Sequence, residues 1–347
     1  MIRRLHLLRE TDIRRSHARS SHAEAGDDAV IALLPLLLAG AYVGWNIGAN
    51  DAGNCVGTTV GSGLLSYRRA IILVTVFAVL GAALQGGSVM KTIGKGIVTS
   101  ELSTIGILAA LICSGIFVTI ATFFRAPVST SQAIVGGVAG VGLAAGADVN
   151  LSTIGRIAQV WVVCPILTGL LAFVIYWLAR TILRQLREDS MWQRVPGLLL
   201  VVSACYVSFA MGANNVGNAM GPIANLGFQA SWLGLFGGIA LAIGVLTFGR
   251  RVTETVGGGI TQLDTVSAFS AQMAAALAIH FFSIVGLPVS TSQAVVGAVI
   301  GVGILHGVRT VRARKIAGIA VGWVATPTAA GVFAFGVYKL IVLLGGF

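Results

Sequence analysis

Charge is the scarcest property of this 347-residue chain: Asp, Glu, Lys and Arg together make up 10% of it, against about 25% in a soluble globular protein. That scarcity excludes a soluble domain of this size. Cysteine is sparse too. Cys55, Cys113, Cys164 and Cys205 lie scattered in apolar surroundings without close pairing, which excludes a disulfide framework or a zinc site and leaves them as packing residues. No apolar core of a cleavable signal peptide precedes Ala29. Residues 1–28 are polar, with Arg3, Arg4, Arg9, Arg14, Arg15 and Arg19 among acids, and they read as a solvated arginine-rich arm.

What fills the chain instead is apolar: 56% hydrophobic residues, a mean hydropathy of +0.90 and 46 glycines. These describe an all-α polytopic membrane protein with closely packed helices in contact with membrane lipid. The net charge is +11, but the basic residues cluster between apolar runs. That pattern speaks of membrane orientation and gives no reason to expect nucleic acid.

The hexapeptide Pro127, Val128, Ser129, Thr130, Ser131, Gln132 returns intact as Pro288, Val289, Ser290, Thr291, Ser292, Gln293. Each copy leads into a short glycine-rich apolar run, Ala133 to Gly146 and Ala294 to Gly307. A helix needs about 20 residues to cross a bilayer, so these runs are too short to span it. Proline and hydroxyl residues suit a helix start, where the first amides lack partners. Free amides, helix dipole and hydroxyls together form a cradle for an anion, most naturally a tetrahedral oxyanion. Gln132 and Gln293 follow the hydroxyls and could join the same ligand.

The repetition extends well beyond the hexapeptide. Gly48, Ala49, Asn50, Asp51, Ala52, Gly53, Asn54 is answered by Gly212, Ala213, Asn214, Asn215, Val216, Gly217, Asn218. Thr92 to Ile97 is answered by Thr255 to Ile260, and Trp161, Pro165, Gly169 and Tyr176 by Trp323, Pro327, Gly331 and Tyr338. Glu101 and Asp264 also fall in register, nine residues beyond Thr92 and Thr255. The separation stays between 161 and 164 residues. The chain therefore divides into a polar arm (1–28), a first membrane repeat (29–179), a basic linker (180–194) and a second repeat (195–347). Equivalent loops differ in basic content. Arg68 and Arg69 have no charged counterpart near Ser231, while Arg309, Arg312, Arg314 and Lys315 answer only Asp148 and Arg156. Loops facing opposite sides would differ in this way, so inverted repeats with broken helices are expected.

The Gly48–Asn54 stretch ends a membrane-length run with small residues and side-chain oxygens. It is expected to unwind and free carbonyls that join Asn50, Asp51 and Asn54 around a small hard cation. A carboxylate in such a place is costly and functional by default. The second half keeps its oxygens in Asn214, Asn215 and Asn218 but has no carboxylate, so the two cradles are expected to differ in strength. If the cation is sodium, Asp51, Asn50 and Asn214 are the first candidates to hold it. An enzyme is not expected. An aspartyl mechanism wants two carboxylates sharing a proton, and the counterpart of Asp51 is Asn215. A serine nucleophile wants a base, and His280 and His306 lie eight or more residues from the hydroxyl runs.

These motifs resemble those of the inorganic phosphate transporter family, which includes sulfate permeases. The resemblance covers nearly all of residues 29–347 and rests on Gly-Ala-Asn-Asp at Gly48 to Asp51, Gly-Ala-Asn leading to Asn218 and Gly221-Pro222, and both Pro-Val-Ser-Thr-Ser runs. It implies a multi-pass symporter in the cell membrane, often dimeric, that carries inorganic phosphate with sodium or protons and needs no cofactor. Carried onto this chain, Ser129, Thr130, Ser131, Ser290, Thr291 and Ser292 hold the anion, and Asn50, Asp51, Asn214 and Asn215 hold coupling cations. The chain departs from the family where Asn215 replaces an Asp, Ala78 a Glu, Lys91 an acid, and Gln132 and Gln293 a His. Sulfate transport on the same scaffold is the nearest alternative, and a passive anion channel the alternative of another class. Asp51 argues against the channel, because a carboxylate beside an anion pore is counterproductive without an accompanying cation.

Overall fold

The computed structural model describes residues 33–57, 59–61, 63–124, 128–185, 194–259, 263–305 and 313–345, with the side chains of 251–259 and 313–320 excepted. The arginine-rich arm, Pro127, His306 and the side chain of Glu254 lie outside the described residues. In chain order the helices are α1 (33–57), α2 (Tyr67–Gln85), α3 (Gly87–Lys91, continued by a π-helical turn Thr92–Gly96), α4 (Thr104–Phe123), α5 (Thr130–Ala144) and α6 (Leu151–Gln185). The second half contains α7 (Val195–Met220, then a 3-10 turn Gly221–Leu226), α8 (Ala230–Gly259), α9 (Thr265–Val285), α10 (Thr291–Leu305) and α11 (Ala313–Gly345). Among the described residues seven helices are long and apolar enough to cross a membrane, whereas α5 and α10, at 15 residues each, are not.

Local chemistry explains where these helices begin. Ser129 stands in extended backbone and its hydroxyl accepts the amide of Gln132, while Ser290 does the same for the amide of Gln293, each at 3.3 Å. Ser103 caps α4 through the amide of Gly106, and Asp264 caps α9 through the amides of Val266 and Ser267. The structural partner of Asp264 is thus Ser103. The register that paired Asp264 with Glu101 is displaced by two residues, because the segments before α4 and α9 do not have equal lengths.

The two halves interlock. Short helix α5 packs on long helix α11 of the other half, and α10 packs on α6, while α2 packs on both α7 and α8. A Cβ at Gly136 would stand 2.2 Å from the Pro327 carbonyl oxygen, and one at Gly297 would stand 2.2 Å from that of Pro165. The same exchange appears where a Cβ added at Gly48 would stand 1.9 Å from Leu241 O and one added at Gly212 would stand 2.0 Å from Ala78 O. Swapping the halves maps each of these contacts onto its counterpart.

Two expectations are corrected. Both asparagine motifs remain helical: α1 runs unbroken through Gly48–Asn54 and α7 through Gly212–Asn218. Their small residues serve close helix approach, so the carbonyls stay in helical hydrogen bonds and only side-chain oxygens are offered. In addition, α6 continues to Gln185, so the first six residues of the expected linker, 180–185, extend that helix; 186–193 lie outside the described residues.

Replacing Gly212 by Ala should push α7 off α2 and lower the melting temperature of the detergent-purified protein by several degrees. Gly155→Ala, where an added Cβ meets nothing within 4 Å, should leave it unchanged. Equal melting temperatures for the two variants would rule out the close contact.

Candidate functional site

Asp51 on α1 is 2% exposed, and a carboxylate so placed must be hydrogen-bonded. Its Oδ2 accepts the side-chain amide of Asn215 on α7 at 2.8 Å and the hydroxyl of Thr130 on α5 at 3.4 Å, and its Oδ1 accepts the amide of Asn54 at 3.3 Å. Two of these donors are shared with α10. Asn215 Nδ2 also donates to Thr291 Oγ1 at 3.2 Å, and Asn54 Nδ2 to Ser292 Oγ at 3.1 Å. One carboxylate is therefore joined to both hexapeptides and both asparagine motifs.

A second set of bonds fixes the approach to α10. Asn214 clasps Val289 from both sides, its Nδ2 donating to Val289 O at 2.8 Å and its Oδ1 accepting from Val289 N at 3.2 Å. Ser131 Oγ donates to the same carbonyl at 2.8 Å and accepts from Asn218 Nδ2 at 2.8 Å. Asn214 Nδ2 further donates to Asn215 Oδ1 at 2.9 Å, which ties this set to Asp51. The start of α5 thus touches the segment that opens α10, and the amide ends of two half-length helices converge on one buried place.

The predicted residues do not all arrive there. Asn50, one position from Asp51 and so on another face of α1, donates to Thr122 Oγ1 of α4 at 3.0 Å. One turn away, Thr119 joins Tyr42 and Asn46 on the same α1–α4 seam. These partners were missed because they belong to no repeated motif. Ser129 and Ser290 act as caps, 5% and 2% exposed. The side-chain amides of Gln132 and Gln293 are wholly buried, and neither their nitrogen nor their oxygen atoms have a hydrogen-bond partner; Asn218 Oδ1 is also unpartnered. Buried polar groups left open in this way call for a polar guest. Among the described residues no three His, Cys, Asp or Glu side chains gather as a metal cluster. A cation here would meet one carboxylate and neutral oxygens, which suits a small monovalent ion better than a transition metal.

Membrane-spanning helices, two half-length helices with converging amide ends and one buried carboxylate between them define a polytopic membrane transporter. A sequence model of the phosphate transporter family matches residues 47–334, and the chain belongs to that family, whose members are transporters and not enzymes. It is 30% identical to a putative phosphate permease of Pyrococcus furiosus, with 90% of this chain and 97% of that protein covered. It is 31% identical to one of Chlamydia pneumoniae, with 85% and 95% covered. A solved structure described as the sodium-dependent phosphate transporter matches with a TM-score of 0.81 at 29% identity, over 90% of this chain and 100% of its own.

Asn215→Asp tests the central contact. It would set a second carboxylate against Asp51, and an uncompensated buried charge costs about 3–5 kcal/mol. The variant should melt several degrees below wild type in sodium-free buffer and recover as sodium is added, more steeply than wild type does. A melting temperature that rises no more steeply with sodium than that of wild type would mean that no cation answers the added charge.

Proposed function

We propose that this protein is a cation-coupled phosphate symporter with inverted repeats that works by alternating access, and that sodium is its coupling ion. The observation that carries this reading is the hydrogen-bonded link from Asp51 to both helix starts, through Thr130 on one side and through Asn215 and Thr291 on the other. The anion is held between the starts of α5 and α10 by Ser129, Thr130, Ser131, Ser290, Thr291 and Ser292, with Gln132 and Gln293 completing its shell. The cation is held by Asp51 with Asn54, Asn214, Asn215 and Asn218, and Asn50 stands at the edge of this set. A cation at Asp51 offsets charge that the phosphate brings, so each guest lowers the cost of burying the other. The name of the structural neighbour supports sodium over protons, and the reciprocal packing of the halves supports a two-fold relation between them.

Phosphate is favoured over sulfate by the acceptors. Near neutral pH phosphate keeps acidic hydrogens and needs acceptors, whereas sulfate needs donors only. The unpartnered oxygens of Gln132, Gln293 and Asn218 and the Asp51 carboxylate are such acceptors.

Uptake of labelled phosphate into proteoliposomes, driven by an inward sodium gradient, should be at least tenfold slower in Asp51→Asn and should no longer respond to the gradient. Retained gradient-driven accumulation would remove Asp51 from the coupling role. In the same vesicles excess arsenate should abolish labelled uptake and excess sulfate should not; the opposite order would assign the site to sulfate.

A further inference from the structure

The two orphan glutamines also face a cavity of about 810 Å3 that transport does not explain. Trp161, Pro165 and Phe173 of α6 and Trp323 and Pro327 of α11 form its walls, and no ionisable side chain lines it. It opens on the outside of the bundle. Val162, Ile166 and Val324 at its rim are 62%, 60% and 72% exposed, on helices of membrane-spanning length, so the surrounding medium there is hydrocarbon. At its floor stand two carboxamides, each wholly buried and each with a free donor and a free acceptor. Pro165 and Pro327 also lack the amide hydrogens that would otherwise bond the carbonyls of Trp161 and Trp323 four residues earlier.

We propose that this cavity binds an uncharged single-chain amphiphile from the bilayer, of the long-chain alcohol type, with its hydroxyl end between Gln132 and Gln293 and its hydrocarbon tail between α6 and α11. A hydroxyl both donates and accepts, which matches a floor that offers both. A charged head would find no countercharge in the lining and is excluded by its desolvation cost. The volume lies within the range of about 300–1,000 Å3 found for small-molecule sites. A two-chain lipid is a poor fit, because its headgroup stays at the membrane surface while the glutamines sit at the starts of helices too short to cross. The same carboxamides are assigned to phosphate in the reading above. On that reading, and only for this consequence, the amphiphile inhibits transport from the lipid side.

The test uses the full chain in phosphatidylcholine nanodiscs and a hexadecanol that carries a photoreactive diazirine. Label should concentrate on 158–173 or 323–328, should be displaced by plain hexadecanol, and should fall about tenfold or more in the double variant Ile166→Trp, Val324→Trp, which fills the rim without touching the glutamines. Uniform labelling of all lipid-facing helices, or labelling undiminished in the double variant, overturns the proposal. So does absence of label together with disulfide-linked dimers of Ile166→Cys, which would assign this face to a second copy. In proteoliposomes hexadecanol should slow phosphate uptake by wild type and spare the double variant; equal slowing of both overturns the inhibitory role. Labelling does not depend on what is carried. Specific label without phosphate uptake would keep this site and sink the transport reading, and phosphate uptake without specific label would do the reverse.

Discussion

The structure depends on keeping one carboxylate satisfied inside a bundle of membrane-length helices. Asp51 is nearly inaccessible, and neither repeat alone supplies its hydrogen bonds. The first half contributes Asn54 and Thr130, the second contributes Asn215, and Thr291 and Ser292 share those donors from α10. An unpaired charge buried among apolar helices is among the costliest features a fold can carry. The donors to Asp51 come from α1, α5 and α7, so the carboxylate is satisfied only where these three helices meet. The same arrangement brings two positive helix ends to the carboxylate, and on the proposed reading the contacts that stabilise Asp51 also set an anion beside a cation.

Half-length helices bring a difficulty of their own, because their starts leave free amides at membrane depth. Such backbone survives only where protein encloses it. Here each short helix lies against a proline-bearing long helix of the other repeat, at distances that no side chain could share: a Cβ at Gly136 or Gly297 would fall 2.2 Å from a carbonyl oxygen. The abundance of glycine is therefore tied to the burial of the helix starts. Association of helices in lipid has little hydrophobic drive and depends on such close packing.

Much of this was legible in the sequence because duplication leaves a signal that composition alone cannot. A nearly constant separation between matching motifs led to the expectation of two halves, and the Pro-Val-Ser-Thr-Ser runs marked both helix starts, where the structure makes Ser129 and Ser290 the caps. Asp51 stood out as a carboxylate in an apolar run. What failed was the inference from small residues to unwinding. Gly48 and Gly212 also permit close approach, and only the positions of Leu241 and Ala78 show which role applies. Asn50 shares a motif with Asp51 but lies on another face of the helix, a distinction that depends on whether the motif is helical. The Ser103 cap was hidden by a shift in register between the halves, since a cap is defined by what it bonds and not by its count from a distant threonine. The repeated Trp161, Pro165, Trp323 and Pro327 and the paired glutamines stood out in the sequence, but nothing there showed that they enclose one cavity, because its lining comes from four helices.

The loss of symmetry at Asn215 bears on how a cation and the helix starts communicate. An aspartate there would repel Asp51, whereas the asparagine donates to it and in turn receives Asn214, which grips Val289 ahead of α10. On the proposed reading, a cation seated at Asp51 would repel the amide hydrogens of Asn215 and attract its oxygen, which favours turning that side chain. Such a turn would take the Asn215 oxygen away from Asn214 Nδ2, which is shared between that oxygen and Val289 O, and so would change how Asn214 holds Val289. On the proposed reading, cation arrival at α1 would reach the segment that opens α10 through Asp51, Asn215, Asn214 and Val289, which are already joined by hydrogen bonds. With carboxylates in both halves, a cation would have to screen one from the other before any such chain could form. With Asn215 in place, the link is made by the protein itself.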